Sequence, residues 1–125
     1  MSARILVVDD DASIRETFER HLGRSGYVVR VANDGQQALS LLAEVDPALV
    51  ITDVRMPGLD GLELLRRVRE STDPPDVLVI TAHDDMRTAI EAMRAGACDY
   101  LVKPLDLDQI DLLIQRSLRE RSLRG

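Results

Sequence analysis

Six residues carry side chains that could act on a phosphorylated or cationic ligand: Asp9, Asp10 and Asp11 together, then Asp53, Thr81 and Lys103. Each position closes a short apolar run. Ile5-Leu6-Val7-Val8 leads into the three acids, Val50-Ile51-Thr52 into Asp53, Val77-Leu78-Val79-Ile80 into Thr81, and Tyr100-Leu101-Val102 into Lys103. Runs of this kind read as parallel strands covered on both faces. The polar residues are therefore expected at strand C-terminal ends, on the edge of a sheet where α/β proteins collect ligands. Three carboxylates within about 4 Å repel by several kcal/mol per pair even at an effective dielectric near 20. Such a group needs a cation, and hard oxygen ligands without Cys or paired His point to Mg²⁺ rather than zinc.

The same residue types suit phosphoryl transfer. An aspartate, with a reference pKa of about 3.9, is ionised at neutral pH and needs no general base to become a nucleophile. Asp53 could attack phosphorus directly, while the charge on the equatorial oxygens is met by a metal and an ammonium. The Thr81 hydroxyl could donate to one of those oxygens. Of 16 basic residues 15 are arginine, and the single lysine is Lys103. That choice suggests a site that wants a compact ammonium rather than a planar fork.

These residues must be positioned by a regular scaffold, and the rest of the sequence supplies one. After the first strand, Ser13 with Glu16 reads as a capping box, and Ile14, Phe18 and Leu22 mark a helix that Gly23 and Gly26 should end. Val28–Ala32 reads as a second strand, and Asn33-Asp34-Gly35 as a turn before the helical stripe Ala38, Leu39, Leu42. Pro47 closes that helix, and Ala48–Asp53 forms the third strand. Leu62, Leu65 and Val68 mark a third helix, terminated by Asp73-Pro74-Pro75. Val77–Thr81, a helix from about Met86 to Ala95, a strand Tyr100–Lys103, and a helix with Leu107, Ile110, Ile114 and Leu118 inward complete the pattern. Five strands alternating with five helices imply a parallel sheet with right-handed crossovers and helices on both faces.

At 125 residues, 45% hydrophobic and 30% charged, the chain has the balance of one globular domain. No apolar run approaches the roughly 20 residues of a spanning helix. The opening Met1-Ser2-Ala3-Arg4 lacks a signal-peptide pattern, and the single cysteine fits a reducing compartment, so a cytoplasmic location is expected. A net charge of −6 disfavours direct nucleic-acid binding by this segment. The stretch 1–118 is expected to form the domain, with 119–125 extending the last helix or linking to an output domain.

Along essentially its whole length, from about Arg4 to Leu118, the sequence resembles the receiver domain of two-component response regulators. Asp9-Asp10 is similar to the acidic pair, Asp53-x-x-Met56-Pro57-x-x-x-Gly61 to the phosphoacceptor signature, Thr81-Ala82 to the switch hydroxyl and its small neighbour, and Lys103-Pro104 to the Lys-Pro pair. The Arg-Met-Pro-Gly and Thr-Ala-His-Asp wording is closest to nitrogen-regulator-like receivers. The resemblance implies a flavodoxin-like (βα)5 fold with strand order 2-1-3-4-5, and phosphorylation of Asp53 by a sensor histidine kinase with Mg²⁺ bound. It implies metal ligation by Asp10 and Asp53 directly, by Asp9 through water and by the Arg55 carbonyl. It further implies a switch aromatic at Tyr100, a commonly cis Lys103–Pro104 bond, and a face of helix 4, strand 5 and helix 5 that controls homodimerisation or an output domain, often in transcription regulation. Arg55 and His83 occupy the variable positions thought to tune hydrolysis of the acyl phosphate.

Other readings compete at several positions. Asp9-x-Asp11 also fits a haloacid-dehalogenase-like phosphatase, with Asp9 as nucleophile and Asp11 as acid and base, but that leaves Asp53 without a role and the chain without a cap domain. A nucleotide or flavin carrier on the same fold lacks any glycine-rich phosphate loop. Asp11 is read as a cap or a solvated acid, and Tyr100 as a residue that could serve core packing alone. His21 is read as covering the core edge, His83 as lacking a partner at metal spacing, and Cys98 as a small buried residue.

Overall fold

The computed structural model describes residues 2–124. Its elements in chain order are β1 (Arg4–Val8), α1 (Ala12–Arg24), β2 (Val28–Ala32), α2 (Gly35–Val45), β3 (Leu49–Asp53), α3 (Gly61–Arg69), β4 (Asp76–Thr81), α4 (Met86–Arg94), β5 (Asp99–Val102) and α5 (Leu107–Arg124). The five strands form one parallel sheet in the order β2-β1-β3-β4-β5, the flavodoxin-like arrangement.

Strand periodicity divides the core in two. Ile5 and Val7 of β1, Leu49 and Ile51 of β3 and Leu78 and Ile80 of β4 face one side, where they meet Phe18 and Leu22 of α1 and Ile110 and Ile114 of α5. Leu6, Val8, Val50, Val77 and Val79 face the other, packed by Ala38, Leu65, Val68 and Ala92 of α2, α3 and α4. Each of these side chains is almost fully buried, a burial worth about 1.5–3 kcal/mol for a Val, Leu, Ile or Phe. Every residue of β3 and β4 is buried, in keeping with the apolar runs Leu49–Ile51 and Val77–Ile80 within them.

Several element ends differ from the sequence expectation. The N-cap of α1 is Asp11, not Ser13: its Oδ1 accepts both the Ser13 N–H (2.9 Å) and the Ser13 hydroxyl (2.8 Å). A carboxylate at the helix start answers the amides and the helix dipole better than a hydroxyl. The helix runs through Gly23 to Arg24, and the turn falls at Gly26, where φ is +92°. In the expected turn at Asn33–Gly35, Asp34 caps α2 by accepting the Gln37 N–H at 2.7 Å. The third helix stops at Arg69, ahead of Asp73-Pro74-Pro75. Strand β5 begins one residue early, at Asp99, and ends at Val102, so Lys103 projects from the loop beyond it.

The Lys103–Pro104 bond is cis, as the resemblance implied. The stretch 119–124 continues α5; Gly125, like Met1, lies outside the described residues. No helix among the described residues is long and apolar enough to cross a membrane.

Candidate functional site

The parallel sheet delivers the C-terminal ends of β1, β3, β4 and β5 to one edge, and the polar residues named above lie there. Asp9 follows β1 and is fully buried, Asp53 ends β3 and is nearly so, and Asp10 is exposed at the rim. One carboxylate oxygen from each of Asp9, Asp10 and Asp53 lies within 4.8 Å of the other two. Two oxygens bound at about 2.1 Å to one ion stand at most about 4.2 Å apart, so carboxylates this near one another can share a divalent ion with a small adjustment or through a water. Among the described residues the buried Asp9 Oδ2 has no hydrogen-bond partner, which leaves a lone pair aimed into the group. The donor set and the orphaned oxygen both fit a hard cation.

Lys103 reaches the same group from the loop beyond β5. Its Nζ donates to Asp53 Oδ2 at 2.8 Å and stands 3.9 Å from Asp9 Oδ2. Partial burial works against the ammonium, yet the bond and charge of Asp53, with Asp9 and Asp11 behind, hold its pKa above the usual lysine value. Asp9 behaves in the opposite way. Burial pushes its carboxyl up to about 6, with the Asp53 and Asp10 charges adding to the rise and the Asp11 N–H and Lys103 opposing it.

The loops are built to hold these groups. Asp53 Oδ1 accepts the Arg55 N–H at 3.0 Å, and Asp9 Oδ1 accepts the Asp11 N–H at 2.9 Å. Gly61, first residue of α3, abuts the Asp53 backbone so closely that a Cβ there would lie 2.0 Å from the Asp53 carbonyl oxygen. Two supporting residues were not anticipated from the sequence. Arg15, one turn into α1, donates to the Asp9 carbonyl at 2.7 Å. Asp85, ahead of α4, bonds to Arg55, Thr88 and Thr81. An acid three residues before Thr88 is a visible helix-start signal, but its partners are not visible in sequence.

Thr81 is buried at the edge, and its hydroxyl donates to the Asp85 carbonyl at 3.1 Å. Tyr100 is half-buried, with its ring packed against the core on the α2–α4 side. The Arg55 guanidinium is turned to Asp85. Asp11, the acid and base of the phosphatase reading, is occupied in capping α1. His21 covers the core edge as expected, with Nε2 2.8 Å from Asp111 Oδ1 of α5. Cys98 is exposed rather than buried, and it sits in the loop before β5 with its N–H bonded to the Val77 carbonyl. Local desolvation and the Asp76 and Asp99 charges push its thiol up to about 11, so the thiolate is scarce at neutral pH.

Residues 5–115 match the family model for the response regulator receiver domain. The chain belongs to that family. Regulatory protein AtoC of Escherichia coli (strain K12) is 39% identical to this receiver over 97% of the chain, which spans 26% of AtoC. Response regulator MprA of Mycobacterium ulcerans is 43% identical over 98% of the chain, which spans 53% of MprA. The receiver therefore corresponds to about half or less of these relatives' length. Among solved structures, NtrX from Brucella abortus superimposes with a TM-score of 0.93 at 36% identity, over 99% of this chain and 28% of that one. A response regulator receiver domain protein from Clostridium thermocellum gives 0.93 at 32% identity, over 98% and 99% of the two chains. AtoC and NtrX among the relatives accord with the subgroup likeness of the central motif, and MprA matches as well.

Proposed function

We propose that this receiver is a phosphorylation switch in which Asp53 is the phosphoacceptor. The observation that carries the reading is Asp53 Oδ2 held 2.8 Å from the sole lysine ammonium, within a three-carboxylate group at the C-terminal edge of the sheet. A carboxylate oxygen of Asp53 attacks the phosphorus of a sensor kinase's phosphohistidine, the P–N bond breaks, and an acyl phosphate forms on Asp53. Lys103 meets the charge on the phosphoryl oxygens while remaining tethered beside Asp9. Asp10 and Asp53 are the direct ligands proposed for Mg²⁺, with Asp9 through water and Arg55 by its backbone carbonyl. When bound, Mg²⁺ supplies charge neutralisation between the carboxylates and the incoming phosphoryl group.

Thr81 and Tyr100 are the proposed responders. The Thr81 hydroxyl leaves the Asp85 carbonyl for a phosphoryl oxygen, Tyr100 turns inward, and the face of α4, β5 and α5 changes shape. That face would serve a homodimer or an output domain, in keeping with transcription regulation in a cytoplasmic protein. The phosphatase reading is weaker, because Asp9 is fully buried and Asp11 is committed to a helix cap. Intact-mass measurement after incubation with a small phosphodonor should show one phosphoryl addition that requires Mg²⁺. Asp53→Asn should abolish it; persistence of the addition in that variant overturns the assignment.

A further inference from the structure

Arg55 stands between two loops. Its backbone N–H donates to Asp53 Oδ1 at 3.0 Å, whereas its guanidinium Nε donates to Asp85 Oδ2 at 2.7 Å, across from the β3–α3 loop to the start of α4. Asp85 is held from three further directions. Its Oδ1 accepts the Thr88 hydroxyl at 2.7 Å, its N–H donates to the Ala82 carbonyl at 3.0 Å, and its own carbonyl accepts the Thr81 hydroxyl at 3.1 Å. The Thr81 hydroxyl is thus bonded to the residue that Arg55 grips. The Asp85 side chain is only 13% exposed while that of Arg55 is 73% exposed, beside an open depression of about 490 Å³ that Arg55 and Thr88 help to line. The acid is fixed and the guanidinium has room to leave.

We infer that the Arg55–Asp85 ion pair is a latch that positions the β4–α4 loop in the unmodified protein and must open before Thr81 can turn to a modified Asp53. The inference rests on the phosphoacceptor reading. A contact made in one of two conformers biases the equilibrium toward that conformer by its own free energy. The Arg55–Asp85 contact favours the resting state, in which the Thr81 hydroxyl faces Asp85. Phosphorylation takes Asp53 from a charge of −1 to about −2 and places three acceptor oxygens next to the Arg55 backbone, giving the guanidinium a competing anion and loosening its hold on Asp85.

The test is the affinity of beryllofluoride with Mg²⁺, measured by titration calorimetry on the wild type, Asp85→Asn, Arg55→Met and the double variant. Loss of an ion pair whose guanidinium is largely exposed should make Asp85→Asn bind roughly two- to fivefold more tightly. The same change in the Arg55→Met background should have no further effect, because the partner is already gone. Unchanged or weaker binding by Asp85→Asn, or an undiminished effect in the double variant, overturns the latch. Hydrogen exchange without beryllofluoride is an independent readout: Arg55→Met should speed exchange of the Asp85 amide, and unchanged exchange counts against the proposal. No binding to the wild type would defeat the phosphoacceptor reading itself, and the exchange result would then judge the latch alone.

Discussion

A carboxylate as buried as Asp9 stays ionised at neutral pH at a cost, and that cost gives the site a pH signature. Its folded-state pKa of about 6 lies above the ordinary value of 3.8. Between those two values the folded protein binds more protons than the unfolded chain, so stability from this group is greatest in acid and is lost as pH rises through 6. The full effect is roughly 3 kcal/mol by linkage. Asp9→Asn, neutral throughout, should therefore stabilise the metal-free protein at pH 7.5 by up to about this amount, with the advantage gone by pH 4. Urea denaturation at the two pH values measures it, and an Asp9→Asn variant no more stable at pH 7.5 contradicts the account. At this scale the sequence was informative wherever a residue type has one chemical use. The solitary Lys103 and the acids after apolar runs did meet at one edge. Asp85 and Arg15 were silent, since a salt bridge across 30 residues or a bond to a carbonyl leaves no local pattern.

Elements owe their alignment here to a few close approaches. Gly61 opens α3 directly against the Asp53 carbonyl, and Asp60 caps the helix through the Glu63 N–H at 2.9 Å. A Cβ at position 61 cannot be accommodated without moving the backbone that carries Asp53. Gly61→Ala should cost on the order of 2–3 kcal/mol and disturb phosphoryl acceptance together with stability. Gly23, inside α1 with nothing within 4 Å of where a methyl group would sit, is the contrast: Gly23→Ala should stabilise by about 0.5–1 kcal/mol. Thermal unfolding of the two variants compares them directly, and a benign Gly61→Ala would count against the close approach as a determinant of the site. Element type was legible throughout because strand and helix periods differ so clearly. Boundaries were less so. Asp11 displaced Ser13 as the cap because both can serve, and only the three-dimensional path of the β1–α1 loop selects between them.

For the whole molecule, the two-sided core was implied by the unbroken apolar strands, but the distribution of helices between faces was not, because it depends on strand order. That order leaves α4 at the margin, with Met86, Ile90 and Met93 exposed by 38%, 51% and 39%, and Leu112 of α5 exposed by 67%. Spacings of four and three put the α4 residues on one helical face. If this face serves a phosphorylation-dependent homodimer, beryllofluoride with Mg²⁺ should raise the sedimentation coefficient and Ile90→Glu should suppress the rise. An unchanged coefficient in the wild type would argue against self-association. The central claim is that Asp53, and no other acid of the cluster, accepts the phosphoryl group. The direct measurement is to trap the acyl phosphate by borohydride reduction after treatment with a small phosphodonor and Mg²⁺, and to sequence the reduced fragment. Reduction at position 53 is the predicted result, and reduction at position 9 or 10 with Asp53 intact would contradict it.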